Sequence, residues 1–109
     1  MAFRDEEQLA CVCRALLASV GVGRLWTRTG PTEEANDVDA FDEPARSMLH
    51  VVWILWNRPD DSASFRHLVA LRFIPPPSEV LGMLIVAMTI GPAGVDAWLD
   101  VHGVPDEVH

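Results

Sequence analysis

The chain contains no lysine: all 8 of its basic residues are arginines, and they stand against 16 Asp and Glu for a formal net charge of −8. Without lysine there can be no Walker-type Gly-Lys-Ser/Thr phosphate loop. The acidic excess repels a phosphate backbone, so direct nucleic-acid binding is not expected. The plainest reading of the acidity is solubility, and the sharper one is a partner protein with a basic surface.

Cysteine is nearly absent, with only Cys11 and Cys13, one residue apart. On a helix these two project about 200° from each other, so they cannot bridge without distortion, and a secreted disulfide scaffold is excluded. Cys-x-Cys also lacks the gap of a zinc knuckle, and no second pair follows. His50, His67, His102 and His109 are scattered singly, with no His-Glu-x-x-His. The acidic run Asn36 to Glu43 is no calcium loop, because Phe41 and Asp42 stand where an EF-hand needs a ligand and then a glycine. No metal and no cofactor are expected.

Long hydrophobic runs are missing too. The longest uncharged run, Val80 to Val95, would reach about 24 Å as a helix, short of the roughly 30 Å hydrocarbon core of a bilayer. A membrane span is therefore not expected. The first residues, Met1-Ala2-Phe3-Arg4-Asp5-Glu6-Glu7, are acidic where a signal peptide is basic and then apolar, so the expected location is cytoplasmic.

What is present is apolar. Half of the residues are hydrophobic and 22% are charged in a chain of 109 residues, the profile of one globular domain with its own core. A domain of this size buries roughly two thirds of its unfolded surface and needs neither disulfide nor metal to fold. The expected organisation is a single domain over residues 1–109, with an acidic connecting segment at about 29–43 and a short tail at 104–109.

Hydrophobic spacing supplies the elements. Leu9, Val12, Cys13, Leu16, Leu17 and Val20 form one stripe at intervals of three and four, which predicts a helix from about Arg4 to Val20, ended by Gly21 and Gly23. Gly23 to Pro31 reads as a loop with Trp26 between Arg24 and Arg28. A second helix starts near Glu43-Pro44, with Asp42 as N-cap, and carries Met48, Leu49, Val52, Trp53, Leu55 and Trp56. A third, capped by Asp61 or Ser62, carries Phe65, Leu68, Val69 and Leu71 and stops at Pro75-Pro76-Pro77. A fourth runs from about Ser78 to Ile90, apolar nearly all round, until Gly91-Pro92 breaks it. A fifth follows with Val95, Trp98, Leu99 and His102, closed by Gly103.

These elements predict an all-α domain of four or five helices with the apolar fourth helix at its centre. Val51 to Trp56 and His67 to Ile74 are also rich in strand formers, so an α+β domain with a short hairpin near residues 51–74 is the alternative.

Catalytic constellations are sparse. Ser47 and His50 are three apart on a predicted helix and within reach of each other, but no Gly-x-Ser-x-Gly elbow surrounds either serine. A thiol enzyme would need a histidine carried to Cys11 or Cys13 by folding. The acids Glu33, Glu34, Asp37, Asp39, Asp42 and Glu43 lack apolar walls that would raise a pKa, and they read as a solvated segment. Arg24, Trp26 and Arg28 are a candidate for stacking a base or clasping an acidic peptide. Their structural reading is a tryptophan folded onto the core, with its arginines paired to the acidic run.

The expected function is therefore non-enzymatic: a small acidic interaction or adaptor module. Its anchors are Trp53, Trp56 and Met83, because aromatics concentrate at interfaces and an all-apolar helix is hard to cover in so small a domain. The partner is another protein or a second copy of the chain. Two alternatives stand beside this: an acidic inhibitor or nucleic-acid mimic that uses residues 33–43 to block a basic groove, and a small thiol-dependent enzyme.

Overall fold

A computed structural model describes residues 2–57 and 78–103, which form a small helical domain. The expected third helix and its proline stop, the 58–74 part of the alternative hairpin, and the tail 104–109 lie outside the described residues.

Helix α1 spans Glu6–Ala18. Asp5 caps it, its carboxylate accepting the Gln8 N–H at 2.8 Å, while the Gln8 side-chain oxygen accepts the Arg4 N–H at 2.6 Å. This is a reciprocal capping arrangement that uses two otherwise orphaned donors. Glu6 and Glu7 add charge of the sign the helix dipole favours. At the other end the Val22 N–H returns to Leu17 C=O at 2.9 Å and the Gly21 N–H to Ala18 C=O at 3.0 Å. These are the paired bonds of a Schellman motif, with Gly21 in the left-handed region at φ 84°. The predicted stripe is buried through Leu9, Val12, Cys13, Leu16 and Leu17.

A turn of 3-10 helix at Gly23–Leu25 leads into a minimal antiparallel hairpin, β1 (Trp26–Thr27) and β2 (Gly30–Pro31), with Trp26 opposite Pro31. Two further 3-10 turns, Glu33–Asn36 and Val38–Ala40, carry the chain across the acidic stretch. Their acids are exposed, but Ala35 is fully buried. Thr32 fastens the start of this stretch, its hydroxyl and its amide both donating to Leu25 C=O at 3.0 and 2.9 Å.

Helix α2 spans Ala45–Asn57 and buries Met48, Leu49, Val51, Val52 and Leu55. Residues 51–57 are thus helical. The carboxylate that caps α2 belongs to Glu43 rather than Asp42: it accepts the Ser47 N–H at 2.8 Å and also the Ser47 hydroxyl. Asp42 contributes its backbone carbonyl, which accepts from the Arg46 N–H.

Helix α3 spans Ser78–Ile90 and α4 spans Pro92–His102. A single residue, Gly91, joins them at φ 114°, and Pro92 opens α4 where its missing N–H costs nothing. The two helices run back along each other. Trp98 Nε1 donates to Val80 C=O at 3.3 Å, and at Gly94 they approach so closely that a Cβ would sit 2.6 Å from Ala87 O.

Among the described residues the element at the centre is α1, which packs against α2, α4 and the hairpin, rather than the apolar helix Ser78–Ile90. That helix buries Leu81, Leu84, Ala87 and Met88 on one side and turns its other side outward.

Candidate interaction surface

Three groups of side chains on this fold bear on function: an aromatic cluster round the hairpin, the acids of the 33–43 stretch, and the outward side of the α3–α4 pair.

The aromatic cluster is built on Trp26, buried beneath the hairpin. The Trp53 and Trp56 rings stand nearly perpendicular to it, at 5.0 and 5.6 Å between centroids, an arrangement the aromatic quadrupole favours. Trp53 Nε1 donates to Ala35 C=O at 3.0 Å, and Trp56 lies against Gly30, where a Cβ would come within 3.0 Å of its ring. Trp53 and Trp56, expected as partner anchors, are half-buried and hold the hairpin and the acidic stretch to α2. Trp26 Nε1 is buried with no hydrogen-bond partner among the described residues. The two arginines that flank Trp26 are engaged in opposite directions, Arg24 with Glu34 at 3.3 Å and Arg28 with Glu7 of α1 at 3.2 Å.

The acids Glu33, Glu34, Asp37, Asp39, Asp42 and Glu43 are all exposed. The two hydrogen bonds from Ser47, and then nearby Arg46 and His50, hold the Glu43 carboxyl below its usual range. Ser47 is thereby committed to capping a helix rather than to His50. Among the described residues no group of three or more His, Cys, Asp and Glu could hold a metal ion. Cys13 is fully buried, and burial pushes its thiol pKa well up, the reverse of what a nucleophilic thiol needs.

The third group stands out by its exposure. Met83 is 52% exposed, Val86 62%, Ile90 70% and Val101 71%. Helical spacing places Met83, Val86 and Ile90 on one side of α3, opposite the buried Leu81, Leu84 and Met88. On α4 the buried Gly94, Val95 and Trp98 face α3 and the core, which leaves Ala93, Ala97 and Val101 outward beside that same side of α3. Gly82 completes the face, and a Cβ there would meet nothing within 4 Å. The exposed charges on these two helices are Glu79 and Asp100. Met83, the third expected anchor, therefore lies on this face and not with the tryptophans.

Val86, Ile90, Val101 and Gly82 were not singled out by sequence reasoning. A helix apolar all round does not say which side is covered. The signal that resolves it is Gly94, whose missing side chain marks the line along which α4 approaches. No helix among the described residues is long and apolar enough to cross a membrane, so this face is not part of a transmembrane span of that kind. No protein-family model, curated protein or solved structure matches the chain.

Proposed function

We propose that the chain is a non-enzymatic protein-interaction module that docks another protein surface onto the outward face of α3 and α4. The observation that carries this reading is the joint exposure of Met83, Val86, Ile90 and Val101. These four side chains leave roughly 450 Å2 of apolar surface in water, within the range of about 300–600 Å2 where a monomer's largest patch is often functional. Among the described residues the acids are mostly on residues 33–43 and the start of α1, away from this apolar face, which supports the reading.

The test is site-specific photo-crosslinking in cells that make the full chain, with the reactive residue at Val86 and, separately, at Glu34. Crosslinks to protein are expected from position 86. A face that yields no protein crosslink there overturns the proposal, and crosslinks from position 34 alone transfer the function to the acidic stretch, as an inhibitor or mimic would require.

A further inference from the structure

We infer that the surface docked onto this face is a second copy of the chain, in a two-fold dimer whose axis passes at Val86. The inference rests on the docking reading above and names its partner. In a two-fold pairing of antiparallel helices, a residue a given number of places before the axis meets the residue the same number of places after it on the other copy. Gly82 and Ile90 lie four residues to either side of Val86, about 6 Å along the helix in each direction. The two-fold therefore seats each Ile90 over the other copy's Gly82.

The shapes suit this pairing. Ile90 is the most exposed large side chain of α3, and Gly82 is an open notch beside Met83. One helix thus carries both a knob and a hole, at positions the symmetry exchanges. Among the described residues Gly82 has no packing role: a Cβ there would meet nothing within 4 Å, and its φ is not positive. A glycine there weakens the helix relative to alanine, and close approach of another backbone or side chain accounts for it.

Charge and area agree with self-association. Two chains of net charge −8 repel as whole bodies, so a contact between them must lie where like charges are not opposed. Between Glu79 and Asp100 the exposed positions of this face carry no charge. The roughly 450 Å2 of the four large side chains is a substantial part of the about 800 Å2 per partner of a standard interface, and Gly82, Thr89, Ala93 and Ala97 extend it.

Light scattering on the full chain, from micromolar to millimolar concentration, tests the dimer, with circular dichroism and urea unfolding to confirm that each variant is folded. The wild type is expected to approach twice its 12.0 kDa mass. Gly82→Phe fills the notch at a position with open space in the monomer and is expected to weaken association at least tenfold. Gly82→Phe combined with Ile90→Ala exchanges knob and hole and is expected to restore the dimer. A wild type that stays monomeric throughout, or a Gly82→Phe variant with unchanged mass, overturns the inference. A monomeric Gly82→Phe that the second substitution does not rescue overturns the pairing of Ile90 with Gly82. A monomeric wild type that still crosslinks from Val86 to a different protein overturns the dimer and leaves the docking reading standing, whereas loss of both results removes both.

Discussion

The Gln8 side-chain amide donates at 2.8 Å to Asp96 Oδ1 and at 3.0 Å to Pro92 C=O, joining the first turn of α1 to the first turns of α4 across 88 residues of sequence. Arg4 closes the other side, its guanidinium 2.7 Å from Asp96 Oδ2. Gln8 is the buried polar side chain of the core, and its oxygen is occupied by the Arg4 N–H. Its placement is therefore set by partners on both helices, and the end of the chain's long apolar segment is held to the central helix by polar bonds.

Those bonds predict a pH dependence. The hydrogen bond from Gln8, and then that from Arg4, hold the Asp96 pKa below its ordinary value of 3.8. A carboxyl depressed in the folded state contributes stability above its unfolded pKa and loses it as pH falls through the folded value. Asp96 should therefore contribute at neutral pH and stop doing so on acidification below about pH 4. Glu43, depressed by Ser47, acts with the same sign. Urea midpoints measured from neutrality down to acid should show a shallower pH dependence in Asp96→Asn than in wild type, with some slope remaining from Glu43. An unchanged slope would mean that the Gln8–Asp96 bond does not persist in solution.

A pair of glycine substitutions should move stability in opposite directions. Gly30 sits at φ 133° with the Trp56 ring where its Cβ would go. Gly30→Ala is expected to cost about 1–3 kcal/mol, the range for a strained backbone position. Gly82 is helical and open, so Gly82→Ala should raise the stability of the monomer by up to about 1 kcal/mol. Urea unfolding at protein concentrations low enough to keep the chain monomeric reads both.

The contrast between these glycines shows what was readable in the residues and what was not. Local signals placed α3 to the residue, because Ser78-Glu79 opens a helix and Gly91-Pro92 ends one. Periodicity placed α1 and α2 to within two residues or so at either end. The hairpin at Trp26–Pro31 has the sequence pattern of a loop, since strands of two residues leave no alternation to detect. What holds it is distant in sequence: Trp56 against Gly30, and Arg28 reaching Glu7. The centre of the fold was misplaced for a related reason. Thirteen residues of nearly uniform hydropathy say that a helix has apolar neighbours available but not on how many sides, and among the described residues α4 covers α3 along one line. Of the candidate site, Met83 lies on the outward side of its apolar helix and Trp53 and Trp56 lie against the hairpin, a separation that depends on packing only the tertiary structure could supply.

Trp53 should matter more for the order of the acidic stretch than for any outward contact. Its indole N–H is given to the carbonyl of a buried residue, Ala35. Trp53→Phe keeps an aromatic ring beside Trp26 and removes that donor, which is expected to cost about 1–3 kcal/mol, the range for leaving a buried carbonyl without its partner. Hydrogen exchange should locate the effect, with the amides of Ala35 and Asp37, which close the Glu33–Asn36 turn, losing more protection than those of α1. Uniform loss of protection would show that Trp53 acts on global stability alone.

The buried thiol bears on the alternative of a thiol enzyme. Cys13 lies in the core with its thiol pKa pushed up by desolvation. Alkylation at mildly alkaline pH, followed by mass spectrometry of peptides, should leave Cys13 unmodified in the folded protein and modify it readily in urea. Rapid modification of Cys13 in the folded state would reopen the possibility of a reactive thiol.

Salt separates the two faces of the molecule. A dimer formed through α3 brings together two bodies of charge −8 over a contact that itself holds no opposed charges. Raising ionic strength from about 0.01 M to about 0.15 M shortens the screening length from about 30 Å to about 8 Å, which removes most of the repulsion between the acidic stretches and leaves apolar burial nearly unchanged. Association should therefore tighten severalfold with salt in sedimentation equilibrium. A complex held by residues 33–43 against a basic surface responds in the opposite sense, because screening weakens the attraction that forms it. Self-association that dissolves on adding salt would thus place the acids of one copy against the arginines of the other and move the interface away from Val86.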